Sequence, residues 1–163
     1  MIENPDAVCK YLSHGVYVIG VTAGEQRNAF TAAWVMQVSF NPLMLAISIN
    51  PHNYSYTLLK TGGICSVNVL GQHKYQLAEH FGRSGLTNKM TGFQWQTAKT
   101  GAPILSESLA YFDCQVSHIT DAGDHKIAVC NVLAAGRLQQ GVPLLYGQTG
   151  NMDGSDKLYQ AAK

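Results

Sequence analysis

Residues 15–22 read Gly-Val-Tyr-Val-Ile-Gly-Val-Thr. The run is β-branched and aromatic and is bounded by glycine, which predicts a strand. Gly24-Glu25-Gln26-Arg27-Asn28 follows as a polar turn. Residues 31–39 carry two periods at once: Ala32, Ala33 and Met36 tolerate helix, while Val35 and Val38 suit strand. Leu43 opens an apolar run of strand length that Asn50-Pro51 stops. Asn53 is a capping residue ahead of a short helical pattern through Leu59. Residues 64–70 alternate like another strand.

In the second half, residues 73–81 place Leu77, Ala78 and Phe81 on one helical face, and Gly82 ends the pattern. Residues 86–90 predict a further short helix. Residues 109–120 alternate, with Ala110, Phe112, Cys114 and Val116 against Asp113, Gln115 and Ser117. Residues 126–135 alternate again, and Gly123-Asp124-His125 between the two segments predicts a hairpin turn. Pro143-Leu-Leu-Tyr146 reads as a final short strand. Six or seven strands with two or three short helices predict a mainly β fold, a barrel with helical decoration. From Gly150 onward the chain is polar and reads as a loose tail or an arm exchanged with a partner.

The length, 163 residues, suits one domain with a core that needs no disulfide or metal. Eleven basic and ten acidic residues leave a formal charge of +1, which argues against a nucleic-acid partner. Charged residues make up only 13%, roughly half the usual share. A surface so poor in charge points to a large subunit interface. No run approaches the length of a membrane helix, and the first residues lack the pattern of a signal peptide. The expected location is the cytoplasm, with no membrane partner. Cys9, Cys65, Cys114 and Cys130 have irregular spacing and read as buried thiols rather than a metal site.

The sequence has no G-x-G-x-x-G, no phosphate-loop motif, no H-E-x-x-H and no G-x-S-x-G, and its six histidines are scattered. Any catalysis is therefore expected to rest on a cofactor. A series of segments in order then carries a resemblance. The first is residues 15–22; next come Asn28-Ala-Phe-Thr-Ala-Ala-Trp-Val-Met-Gln-Val-Ser39 and Asn41-Pro42-Leu43. Asn53-Tyr-Ser-Tyr-Thr-Leu-Leu59, Cys65-Ser-Val-Asn-Val-Leu70 and Leu77-Ala-Glu-His-Phe-Gly82 follow. The last three are Gly101-Ala-Pro-Ile-Leu105 with Leu109-Ala-Tyr-Phe-Asp-Cys114, then Gly123-Asp-His125, then Pro143-Leu-Leu-Tyr146. Together they resemble the flavin reductase-like family of FMN-binding split β-barrels, in its flavoredoxin-like branch. The similarity spans about residues 12–147 of one domain, with 148–163 as the tail or arm.

The resemblance implies a homodimer with FMN, or FAD, near the dimer interface, and NADH or NADPH as electron donor. Thr31-Ala32-Ala33-Trp34 has small side chains before the tryptophan, so a backbone edge can approach a flat ring. Ser39 and Asn68 offer side-chain hydrogen bonds to that ring, and Val69 is placed beside Asn68 in the same segment. Ser55 and Thr57 stand at the start of a helix, with hydroxyls and free N–H groups. By the family's pattern they form the phosphate segment; locally a plain helix cap is an equal reading. Phe81, Gly82 and Arg83 with Lys89 look like a second binding segment, Phe81 toward the ring or ribityl chain and the two cations toward a phosphate or nicotinamide nucleotide. In family members the histidine at the position of His125 commonly lies by the flavin, as a hydrogen-bond donor or charge stabiliser. Trp34 either stacks beside the flavin or fills a dimer core, and core packing is favoured.

Two departures qualify the pattern. Ala33-Trp34 stands where many two-component reductases have a small polar residue, which opens the question of direct NAD(P)H use. Asn41-Pro42-Leu43 replaces the commoner Pro-Pro-Leu and changes only a turn. The expected activity is NAD(P)H-dependent reduction of FMN by hydride transfer to flavin N5, with a monooxygenase or other redox protein downstream. The alternative is a flavoredoxin-type FMN electron carrier fed by a protein partner. A non-enzymatic flavin- or haem-binding barrel is the third reading, and no residue cluster argues for haem.

Overall fold

A computed structural model describes residues 4–159. Its centre is a seven-stranded antiparallel sheet. The strands are β1 (Tyr17–Ala23), β2 (Gln26–Ala32), β3 (Val35–Phe40), β4 (Leu43–Ile49), β5 (Ile64–Val69) and then two long strands. Between β5 and those strands the chain forms a two-stranded ribbon, β6 (Trp95–Gln96) with β7 (Ile104–Leu105). The long strands are β8 (Ala110–Ala122) and β9 (His125–Arg137). Across the sheet the order is β2-β1-β5-β8-β9-β4-β3. The two edge strands, β2 and β3, are thus neighbours in sequence, joined only by Ala33 and Trp34. A link that short requires the sheet to curl until its edges meet at one end. The Ser48 N–H donates to the Trp34 carbonyl at 2.9 Å and carries the β3–β4 ladder one step beyond Val35–Ile47. The outcome is the mainly β, barrel-like fold with a few short helices that the sequence predicts.

The apolar face inside the barrel is built from alternate strand positions, among them Ile19, Val21, Phe30, Ile47, Val67 and Ala128. Cys65, Cys114 and Cys130 are buried in the same interior and are not disulfide-bonded; Cys9 is half-buried and also free. Hydrogen bonding among the three thiols and burial push the Cys65 thiol well up, so it packs as a small apolar side chain. Helix α1 (Pro5–Cys9) precedes the sheet, and α2 (Tyr54–Gly62) closes the barrel with Leu58 and Leu59. The α2 cap is the one the sequence predicts. The Asn53 side chain accepts from the Ser55 N–H at 3.0 Å, and Gly63 ends the helix in the left-handed region at φ 68°.

A second core lies outside the barrel, where α3 (Tyr75–Gly82) docks Leu77, Ala78 and Phe81 against Val16, Val18 and Ala29. Fully burying Phe81 contributes about 2–3 kcal/mol. Strand β1 is therefore covered on both faces, which explains why residues 15–22 are almost continuously apolar. On its outer face a Cβ on Gly20 would sit 2.0 Å from the Pro103 carbonyl, so the 101–105 segment rests directly on the strand.

Four expectations change. Gln26, Arg27 and Asn28 are not a turn but the start of β2, polar because an edge strand keeps one side in water. The ambiguous residues 31–39 end β2 and supply β3. Residues 86–90 form turns, not a helix; Gly85 and Asn88 on this loop have φ of 72° and 55°. Pro143 and Leu145 make isolated bridges to Gly71 and Gly15, and a 3₁₀ turn, Tyr146–Gln148, follows in place of a strand. Within the segment 150–159, Asp153, Ser155 and Asp156 take part in side-chain hydrogen bonds. The Tyr146 hydroxyl donates to Asp153 Oδ2 at 2.7 Å and lies 3.0 Å from Ser155 Oγ, and burial pushes that hydroxyl up to about 12. The end of the expected arm, 160–163, lies outside the described residues. No helix among the described residues is long and apolar enough to cross a membrane.

Candidate functional site

The open edge of β2 forms one wall of a cleft of about 620 Å³. Asn28, Phe30 and Thr31 line that wall; the turn before α2 supplies Asn50, His52 and Asn53; the end of α3 supplies Phe81, Gly82 and Arg83. Tyr54 and the 84–89 loop complete it. Volumes of this size suit small-molecule and cofactor sites.

Local chemistry explains each wall. Thr31 donates its hydroxyl to the Ala78 carbonyl at 2.7 Å, which ties β2 to α3. On the 84–95 loop, His80 Nε2 lies 2.8 Å from the Lys89 carbonyl, Lys89 Nζ donates to the Phe81 carbonyl at 3.1 Å, and Trp95 Nε1 donates to the Met90 carbonyl at 3.0 Å. Beneath the loop an aromatic cluster stacks Phe81 on Phe93 at 5.0 Å and on Trp95 at 5.7 Å. Burial pushes the Lys89 ammonium down from its ordinary value. An anion seated beside it would restore the charge's missing solvation. Arg83 is mostly exposed and only 3.8 Å from Glu79, so its guanidinium is lightly engaged.

Five of the residues expected from the sequence meet on this cleft: Thr31, Phe81, Gly82, Arg83 and Lys89. Phe81 takes part differently from expectation. Its ring is fully buried in the aromatic cluster, so only its backbone can face the cleft. Ala33 lies next door, in a 330 Å³ cavity that shares Thr31, Gly82 and Arg83 with the cleft. Trp34 is 46% exposed and its ring stands 5.1 Å from that of His125, so within this chain it is not a core residue. His125 does not line the cleft; the Ile49–Lys126 pairing of β4 and β9, carried one step on, only sets its backbone opposite Asn50, which does. His125 Nδ1 lies 2.7 Å from Asp124 Oδ1. That hydrogen bond holds the Asp124 carboxyl below the usual carboxylate range.

The other expected residues sit elsewhere. Ala32 points into the barrel core. Ser39 lies on β3, five residues past Trp34 or about 16 Å along a strand. Ser55 is buried, its hydroxyl accepting from Asn28 Nδ2 at 3.0 Å, and Thr57 is on the exposed side of α2. Asn68 is fully buried and occupied. It donates to the Val18 carbonyl at 2.9 Å and to Ser66 Oγ at 2.8 Å, and accepts from the Leu105 N–H at 3.0 Å. Val69 lines a separate cavity with Leu109 and Arg137. Sequence reasoning missed Asn28, Asn50, His52, Asn53 and Tyr54. The signal available was Asn50-Pro51 next to a helix cap, a tight turn that throws polar side chains to one side. Among the described residues, no group of three or more His, Cys, Asp or Glu side chains is placed to hold a metal ion.

An open strand edge offers unpaired N–H and C=O groups to the hydrogen-bonding rim of a flat heterocycle. Arg83 and Lys89 offer charge to a phosphate. The residues present therefore fit a flavin mononucleotide. The model of the flavin reductase like domain matches residues 9–155. FMN reductase (NADH) RutF of Agrobacterium fabrum is 30% identical over 123 residues, 75% of this chain and 71% of that protein. Diflavin flavoprotein A 1 of Synechocystis sp. is 33% identical over 124 residues, 74% of this chain but only 22% of that protein. The chain thus spans about a fifth of the diflavin flavoproteins it matches. Among solved structures, nitrilotriacetate monooxygenase component B from Mycobacterium thermoresistibile superposes with a TM-score of 0.79 at 25% identity, over 85% of this chain and 78% of that one. With the matched model covering nearly its whole length, the chain belongs to the flavin reductase like domain family.

Proposed function

We propose that this protein is a flavin-binding oxidoreductase that uses NADH or NADPH to reduce FMN, by hydride transfer to flavin N5. The observation that carries this reading is the cleft along the unpaired edge of β2, with Arg83 and Lys89 at its walls. The similarity to an FMN reductase (NADH) over most of both chains supports it. Flavin, when bound, supplies the hydride-accepting chemistry. The chain's own part is position and electrostatics. The β2 edge orients the ring; Thr31 and Gly82 set how closely it can approach α3; Lys89 and Arg83 balance phosphate charge. His125 is held by ionised Asp124 at Nδ1, which leaves Nε2 as the atom able to exchange a proton or hydrogen bond.

The reading extends to partners. Met36, Val38 and Phe40 are exposed on β3, an edge strand, and are available to a second copy of the chain. A monooxygenase or another redox protein would consume the reduced flavin, as the name of the Mycobacterium relative suggests for that protein. A second reading has its own support. The match to diflavin flavoproteins favours a flavoredoxin-type FMN carrier that takes electrons from a protein instead of NAD(P)H.

The test has two parts. Titrating purified protein with FMN should shift and quench the flavin band near about 450 nm, since the chromophore is the cofactor's own. His125→Ala should then slow flavin reduction by roughly tenfold or more, within the range of general acid–base contributions, and keep FMN affinity within about threefold. Unchanged reduction kinetics in that variant would remove His125 from the reaction.

A further inference from the structure

Lys89 reaches the flavin cleft from an exposed loop. Within that loop Gly85 and Asn88 take left-handed backbone, at φ 72° and 55°. For an asparagine this backbone is strained, and it persists only where the surroundings impose it. The imposing contacts begin directly after Asn88. The Lys89 carbonyl lies 2.8 Å from His80 Nε2, and the next carbonyl, that of Met90, accepts from Trp95 Nε1 at 3.0 Å. We propose that His80 is a positioning residue for the phosphate end of the flavin: by fixing where the Lys89 ammonium stands, it sets a preference for FMN over unphosphorylated riboflavin. The inference rests on the flavin reading of the cleft and names a residue outside the cleft wall.

The latch runs in both directions. A carbonyl only accepts, so His80 Nε2 carries a proton and donates, whether the imidazole is neutral or charged. Packing holds the ring in that orientation. It stands edge-on to Phe81 and tilted against Phe93, with centroids 4.9 Å apart in both pairs. Lys89 returns the bond, its Nζ donating to the Phe81 carbonyl at 3.1 Å. That carbonyl belongs to the last turn of α3, where the helix dipole favours a cation. The loop's backbone is thus tied to an α3 side chain, and its ammonium to the α3 backbone. Lys89 uses one donor in this way, and its others remain for an anion in the cleft it lines. Without the His80 bond the ammonium keeps its charge but loses its fixed origin. A flexible stem then loses more entropy when it is ordered around a phosphate. Riboflavin carries the same ring and no phosphate, so its binding does not depend on the latch.

The experiment titrates the full chain with FMN and with riboflavin in parallel, following flavin fluorescence. Two substitutions separate the hydrogen bond from the packing. His80→Phe keeps an aromatic ring in the cluster and removes the donor. It should weaken FMN by about five- to tenfold and leave riboflavin within about twofold of the parent. His80→Gln removes the ring and offers a side-chain N–H of similar reach, and it should hold FMN within about threefold of the parent. His80→Met also lacks the donor; it carries the same expectation as His80→Phe and stands in for it should that variant not fold. Lys89→Met should lose the FMN preference by itself, and adding His80→Phe to it should weaken FMN no further, because the two side chains act as one unit. Near-parental FMN binding without the donor overturns the proposal. So do equal losses of FMN and riboflavin, a loss in His80→Gln as large as in His80→Phe, additive losses in the double variant, or a parent that binds FMN no tighter than riboflavin. A parent that binds neither flavin overturns the flavin reading, and this proposal with it.

Discussion

Asn68→Ala is expected to destabilise the protein by about 4 kcal/mol while leaving the flavin affinity of the folded molecules within about twofold of the parent. Asn68 lies two strands in from the open edge, on the outer face of the sheet, and its side chain pins the 103–105 segment to β1 and β5. Truncation leaves the buried Leu105 N–H unpaired, at about 1–3 kcal/mol, removes one bond each from the Val18 carbonyl and from the Ser66 hydroxyl, which still donates to the Pro103 carbonyl, and adds a small cavity. Against a total stability of about 5–15 kcal/mol the loss is large. At about 2–4 °C per kcal/mol it lowers Tm by roughly 10 °C. Thermal unfolding gives the first quantity and FMN titration well below Tm the second. A direct ligand of the flavin would show the reverse, a near-parental Tm with affinity lost.

Gly82→Leu is expected to abolish tight flavin binding, by at least about tenfold in Kd, with Tm nearly unchanged. A Cβ on Gly82 meets nothing closer than the Thr31 Cβ at 3.8 Å, an ordinary contact, so Ala at this position fits. Gly82 lines both the flavin cleft and the adjoining cavity, so the longer leucine side chain must enter one of them beside Thr31 and Arg83. Displacing a ring that fills this space costs its contacts and hydrogen bonds, about 1.4 kcal/mol per tenfold. FMN titration of Gly82→Ala and Gly82→Leu side by side separates loss of glycine from loss of space. Parental FMN affinity in Gly82→Leu would place the flavin away from the Thr31–Gly82 wall.

The strands at 43–49, 64–69, 110–122 and 125–137 were legible because their periodicity reflects one buried face or two. Strand β2 was not, because Gln26, Arg27 and Asn28 are polar for the same reason the site exists: they stand at an unpaired edge. Residues 86–90 suggest a helix because the apolar spacing of Leu86 and Met90 mimics a helical turn, whereas Gly85 just before them and Asn88 within them take left-handed backbone. At the site, Thr31, Gly82, Arg83 and Lys89 were found because they sit in or beside segments that carry the family resemblance. Asn68, Ser55 and Ala32 share those segments but turn their side chains into the packed interior. A motif locates a stretch of backbone; the alternation of the strand and the turn of the helix decide which of its side chains reach the ligand. Asn28, Asn50 and His52 converge on the cleft only through tertiary packing, with no local signal beyond a turn.

The most direct test of the account is to mix the FMN-loaded protein anaerobically with NADH, and separately with NADPH, and follow the band near about 450 nm that belongs to the cofactor. The cleft and its cations predict rapid bleaching by a reduced nicotinamide nucleotide. A protein that stays yellow with both, yet bleaches with dithionite, would contradict the reductase reading and point to a carrier supplied with electrons by another protein.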